Sequence, residues 1–202
     1  MPLDVITLAL SASRRDRSSL GKTILIVGGP GGGKMTLAAQ LVRDLPVPGD
    51  AVWQTEDAID PTIRKLRALG LDAVTEESLG DTRRLSDSRR FIVERAPRAR
   101  VSKIAPFDRV PTPIAAVFDG SVLSHNDVLD LRDHAGRNCM SIVTARPNES
   151  YAFVELFDLV LRVREDHYTH ARIVSLSENR LGIDAATSRY ELTTRGFVLV
   201  AG

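Results

Sequence analysis

The sequence predicts an α/β fold: a mostly parallel sheet flanked by helices, followed by antiparallel strands towards the C-terminus. Three observations predict it. The apolar, β-branched run "TILIVGG" (23–29) ends in glycines and leads through "GGPGGGKMT" (28–36) into residues with helical spacing. Strand-like and helix-like stretches then alternate as far as residue 145. After residue 157 four strand-like stretches follow one another with turn residues between them.

Each element has its own signal. In 35–45 the residues Leu37, Ala38, Leu41, Val42 and Leu45 recur at helical spacing, and "LPVPGD" stops that helix. "AVWQTE" (51–56) reads as the second strand. "DPTIRKLRALG" (60–70) reads as a helix with Asp60 as N-cap, Pro61 in the first helical position and Gly70 at the C-terminal end. The stretch 74–112 is weakly patterned, with a strand at "FIVE" (91–94). "PIAAVFD" (113–119) is a clear strand, and a helix follows over 124–135 with Ser124 and Asp127 spaced as a capping box. "CMSIVTA" (139–145), 157–165, 170–180, 189–194 and 196–202 complete the strands, with "HYTH" (167–170) as a hairpin turn. Trp53 and Cys139 fall at core positions. One domain spanning 1–202 is expected.

Composition sets the limits. The chain has 202 residues, 43% hydrophobic and 26% charged, ordinary values for a water-soluble globular protein. A net charge of +1 excludes a whole-molecule field that would demand nucleic acid or membrane. One cysteine excludes an intrachain disulfide and a cysteine-based metal site. The N-terminal stretch has no basic segment ahead of its apolar residues, and no apolar run reaches membrane-spanning length. A soluble cytoplasmic protein without a membrane partner is the expectation.

Gly28, Gly33 and Lys34 satisfy G-x-x-x-x-G-K between a predicted strand and a predicted helix. Glycines let successive amides turn inward around phosphate oxygens, the helix N-terminus adds positive potential, and the lysine reaches the β and γ phosphates. The loop candidates are Gly28, Gly29, Pro30, Gly31, Gly32, Gly33, Lys34, Met35 and Thr36. The plainer alternative is a glycine-rich turn with an incidental lysine. Met35 stands where a serine or threonine hydroxyl ordinarily meets Mg²⁺, and a thioether is a poor ligand for so hard an ion. Thr36 lies about 100° further around the helix and faces the α-phosphate region. Water can fill the vacant coordination position, since Mg²⁺ commonly keeps several waters.

Together with "LIVGGPGGGKMTLAAQ", three stretches suggest a family: "AVWQTEDAIDPTIRKLRALGLD" (51–72), "IAAVFDGS" (114–121) and "RIVSLSENRLGIDAATSRYELTTRGFVLV" (172–200). They resemble the ATPase core of RadA-type (Sms-like) recombination and repair proteins and the related RepA/DnaB-like hexameric helicase ATPases, all of the RecA superfamily. The family's Lys-Asn-Arg-Phe-Gly motif and "MTERG"-like turn have counterparts in "ENRLG" (178–182) and "LTTRG" (192–196). The likeness covers roughly the whole chain, with 74–112 matched by position only. The core alone is expected, without the family's zinc module and protease-like domain.

The resemblance implies a RecA-like ATPase that uses ATP and Mg²⁺, assembles as a homo-oligomeric ring or filament, and acts on DNA in recombination, repair or unwinding. It implies that Lys34 and the loop bind phosphates, Asp119 holds Mg²⁺, and Glu56 polarises the attacking water. Asn179 and Arg180 would reach a neighbouring subunit's ATP, the arginine neutralising charge in the transition state. Thr144 is a candidate γ-phosphate sensor and Asp57 a substitute for Glu56. Alternatives stay open for each: Asp119 as a turn cap at Gly120, Glu56 with Asp57 as a solvated pair, Arg180 as a surface arginine.

Met35 and Glu178, the latter in place of the motif's lysine, depart from the family pattern. They support a second reading, a regulatory or assembly subunit that binds nucleotide with weakened catalysis. A small-molecule P-loop kinase is the third. For single-stranded DNA as a partner the local signal is basic: Arg83, Arg84, Arg89, Arg90, Arg95, Arg98, Arg100, Lys103 and Arg109 stand against Asp87, Glu94 and Asp108. A solvated helix face or a subunit contact explains it equally. Phe91 and Phe107 are the only aromatics there to stack on bases, and the loops at 121–126 and 146–151 are short and weakly basic.

Overall fold

The computed structural model describes residues 4–12, 22–45, 47–75, 77–78, 89–95, 113–120, 124–135, 139–148, 154–180 and 184–200. Its strands are β1 (Thr23–Gly28), β2 (Ala51–Thr55), β3 (Asp72–Thr75), β4 (Arg90–Arg95), β5 (Ala115–Asp119), β6 (Met140–Ala145), β7 (Leu159–Glu165), β8 (Arg172–Asn179), β9 (Ala186–Thr193) and β10 (Gly196–Leu199). The helices are α1 (Val5–Ala12), α2 (Lys34–Arg43), α3 (Ile59–Ala68) and α4 (His125–Ala135). All ten strands join one sheet in the order β10-β9-β8-β7-β1-β6-β5-β2-β4-β3.

From β7 to β3 every pairing is parallel. The pairs β7/β8, β8/β9 and β9/β10 are antiparallel, with a register shift at Val160/Leu161. The apolar runs explain the arrangement, because a parallel strand is covered on both faces. In β1, Ile24 and Ile26 belong to a core shared with α1, α2 and α3. Leu25 and Val27 belong to the opposite core, closed by Val128 and Leu131 of α4. Trp53 and Cys139 are buried as expected, and burial pushes the Cys139 thiol up to about 12.

Several expectations need amending. Helix α3 starts at Ile59 with Ala58 as N-cap, so Asp60 lies in the first turn and caps nothing. Gly70 follows the helix at φ 77, as expected. Helix α1 and strand β3 carry signals too short to stand out in the sequence. Helix α1 is fixed by Asp4, whose carboxylate accepts from the Ile6 and Thr7 amides and from the Tyr190 hydroxyl at 2.9 Å. The capping box forms: Ser124 Oγ donates to Asp127 Oδ2 at 2.6 Å, and the Asp127 amide donates back to Ser124 Oγ at 3.3 Å. The "HYTH" stretch is a turn, with His170 at φ 54. Among the described residues no helix is long and apolar enough to cross a membrane.

Candidate functional site

The carboxyl ends of β1, β2, β5 and β6 lie along one edge of the sheet, where open α/β sheets bind ligands. Strand β6 separates the glycine loop, which follows β1, from Asp119, which ends β5. A cleft of about 400 Å³ opens there. The loop contributes Pro30 and Lys34, the end of β2 Glu56 and Asp57, the end of β5 Asp119, and the end of β6 Thr144 and Arg146.

The loop is shaped by its glycines at two positions above all. A Cβ on Gly28 would come within 2.7 Å of the Val163 carbonyl oxygen. Gly33 adopts φ 93 and caps α2 without any side-chain bond, and a Cβ there would lie 2.8 Å from Phe197 Cζ. Phe197 is held in turn, its amide donating to Gln40 Oε1 at 2.7 Å while Gln40 Nε2 donates to the Phe197 carbonyl at 3.2 Å. The "LTTRG" turn therefore buttresses the start of the loop helix. Gly33 offers the α2 amides no side-chain acceptor at the cap, the arrangement in which a helix N-terminus can take an anion. Lys34 Nζ folds over the loop, donating to the Gly28 carbonyl at 2.8 Å and to that of Gly29 at 3.0 Å.

Asp119 is the most constrained acid of the cleft. Thr144 Oγ1 donates to its Oδ1 at 2.6 Å, and the Gly120 amide donates to Thr144 Oγ1 at 3.1 Å. Burial raises the Asp119 carboxyl above its ordinary value and the charge of Asp57 adds to this, against the Thr144 hydrogen bond and the charges of Lys34 and Lys65. Glu56 and Asp57 are exposed at the rim, the Asp57 amide donating to Thr55 Oγ1 at 3.1 Å. Met35 is half-buried and packs against the main core. Thr36 is half-buried in the first turn of α2.

A divalent cation finds partial provision. Among the described residues no three His, Cys, Asp or Glu side chains form a metal cage. Asp119, oriented by a hydroxyl and close to further carboxylates, suits Mg²⁺, which is ordinarily held by one or two carboxylates plus phosphate oxygens and water.

Arg180 and Glu178 do not join this cleft. Gly28 pairs with Val163, whereas Leu159, paired with Asn179, is level with Ile24. The Arg180 amide donates to the Asp158 carbonyl at 2.9 Å, at the far end of β7. That is roughly 15 Å from the loop along the strands. Glu178 faces Arg162 at 3.9 Å. Of the basic stretch, Arg89 donates to the carbonyls of Val42, Arg43, Leu45 and Val47 at the end of α2, and Arg90 pairs with Asp50 at 2.7 Å. Both have structural tasks. Arg83, Arg84, Arg98, Arg100, Lys103 and Arg109 lie outside the described residues. Sequence reasoning placed Arg146 in a weakly basic loop and gave it no part in the site.

The fold is RecA-like: a mostly parallel sheet with helices on both faces and antiparallel C-terminal strands. No protein-family model matches the chain, and comparison with curated proteins gives no match. Among solved structures the chain is similar to a KaiC-like protein from the hyperthermophilic archaeon Pyrococcus horikoshii OT3, with a TM-score of 0.64 over 90% of each chain. Sequence identity is 18%, so the likeness concerns the fold.

Proposed function

We propose that this chain is a P-loop ATPase that binds ATP with Mg²⁺ and hydrolyses it. The observation that carries the reading is the single cleft joining Lys34, Asp119, Glu56 and Asp57 at the carboxyl ends of parallel strands. Loop amides and Lys34 would hold the β and γ phosphate oxygens. Mg²⁺, held by Asp119, would neutralise charge on those oxygens. Glu56 would accept a proton from water as the water oxygen bonds to the γ-phosphorus and the bond from that phosphorus to the β,γ-bridging oxygen breaks, releasing ADP and phosphate. The RadA-like motifs favour a recombination, repair or helicase-type process on single-stranded DNA. They also favour a ring or filament in which Arg180 of one copy approaches the cleft of the next.

The rival reading, a nucleotide-binding regulatory or assembly subunit, draws on Met35 packed against the core and on Glu178 directed at Arg162. A small-molecule kinase is disfavoured because residues 159–199 supply strands where such an enzyme would need a lid. ATP turnover with Mg²⁺, with and without single-stranded DNA, tests these readings beside Lys34→Ala. Turnover that Lys34→Ala abolishes supports the ATPase. Stimulation by DNA supports the process. Tight binding without turnover supports the rival, and phosphate transferred to a metabolite in place of water revives the kinase.

A further inference from the structure

We propose that Arg146 contacts the γ-phosphoryl group from within the same chain, supplying in cis the cation that the motif resemblance would draw from Arg180 of a neighbour. The inference rests on the nucleotide reading of the cleft. Strand β6 runs between β1 and β5, pairing Ala145 with Val27 on one side and Thr144 with Asp119 on the other. The residue that leaves β6 at its carboxyl end therefore emerges between the phosphate loop and Asp119, and Arg146 lines the cleft there. In an extended segment residues two apart share a face, and Thr144 turns its hydroxyl onto Asp119. Arg146, the first residue after β6, lines the same cleft as Thr144.

Charge points the same way. Among the described residues the cleft gathers three carboxylates, Glu56, Asp57 and Asp119, and two cations, Lys34 and Arg146. A bound triphosphate brings further negative charge into this acidic setting, and the planar guanidinium fork matches two phosphoryl oxygens at once. Arginine supplied in cis is a known solution for charge developing in phosphoryl transfer. Arg180, level with the opposite end of β1, reaches a phosphate only through a second copy. With Arg146 in this role, turnover does not require assembly.

The test compares Mg²⁺-AMP-PNP and Mg²⁺-ADP binding and ATP turnover in the wild type, Arg146→Ala, Arg146→Lys and Lys34→Ala. Arg146→Ala is expected to weaken AMP-PNP binding about 10- to 100-fold and lower turnover on the order of 10³-fold. ADP affinity should stay within about twofold, which also reports that the variant folds. Arg146→Lys should recover part of the loss. Mixing Arg146→Ala with Lys34→Ala subunits should restore no turnover; restoration would mean that the arginine acts across an interface and would overturn the proposal. An unchanged AMP-PNP to ADP ratio in Arg146→Ala overturns it while the nucleotide reading stands. If Lys34→Ala alters neither affinity, the nucleotide reading fails and this inference fails with it.

Discussion

Thr144 and Asp119 share a 2.6 Å hydrogen bond at the ends of adjacent strands, with the hydroxyl donating and the carboxylate accepting. Thr144 is fully buried, and its hydroxyl oxygen also accepts from the Gly120 amide. A hydroxyl one strand away from the loop thus orients Asp119. Thr144→Val preserves shape and removes both bonds. With Asp119 holding Mg²⁺ as proposed, we expect Mg²⁺-dependent nucleotide affinity to fall about 10- to 100-fold, as when a residue that orients a metal ligand is removed, while Thr144→Ser stays near the wild type. Equal Mg²⁺ titrations for Val and wild type would reduce the bond to packing.

Asp119 links the site to stability. Burial holds its carboxyl above its ordinary value, so the unfolded chain ionises this group more readily than the folded one. The sign follows: the folded state's relative gain is complete below the unfolded value, about 3.9, and is lost as pH rises through the folded value. At neutral pH the ionised group is a cost. Asp119→Asn should therefore melt higher than the wild type at pH 7 without nucleotide or metal, each kcal/mol adding about 2–4 °C. The difference should shrink towards pH 4, and Mg²⁺-dependent binding should vanish. A lower melting temperature at pH 7 would show that the carboxylate stabilises the fold.

Much of this was legible in the sequence, and the illegible part has a common cause. The strands β1, β5 and β6 are continuous apolar runs ended by Gly28, Asp119 and Ala145, and the Ser124–Asp127 box is a local pattern. Local chemistry specifies both. Asp60 and Pro61 signalled a helix start correctly within two residues, but the cap fell on Ala58. Helix α1 depends on Asp4 meeting Tyr190, 186 positions away. Arg146 joins Lys34 only because β6 inserts between β1 and β5. The task of Arg89 depends on the end of α2 lying beside β4. Such relations are set by strand order, which no short window contains.

Arg89 makes that point testable. Its guanidinium bonds four carbonyls at the end of the loop helix, among them Arg43 at 2.8 Å and Leu45 at 3.0 Å. Burial lowers its pKa, with the charge of Asp44 opposing. Arg89→Met keeps most of the stem but strips these carbonyls of their donors. Urea denaturation should show a loss of about 2–4 kcal/mol. The salt dependence of any binding to single-stranded DNA should not change. A reduced salt slope would place Arg89 on a phosphate backbone.

Met35→Ser sets packing against coordination. The Met35 side chain is half-buried against the main core, so shortening it should cost about 1–2 kcal/mol. That corresponds to a melting temperature about 2–8 °C lower without ligand. The new hydroxyl stands beside Lys34 at the start of α2, where a serine ordinarily reaches Mg²⁺. If the site lacks only a ligand, Mg²⁺-dependent nucleotide affinity and turnover rise as stability falls, in opposite directions from one substitution. If Thr144 and water already complete the arrangement around Asp119, stability falls and neither quantity improves. We expect the second result in the wild-type background. We expect the first in the Thr144→Val background, where Asp119 has lost its hydroxyl partner. Equal effects of Met35→Ser in the two backgrounds would show that the two positions do not share the task.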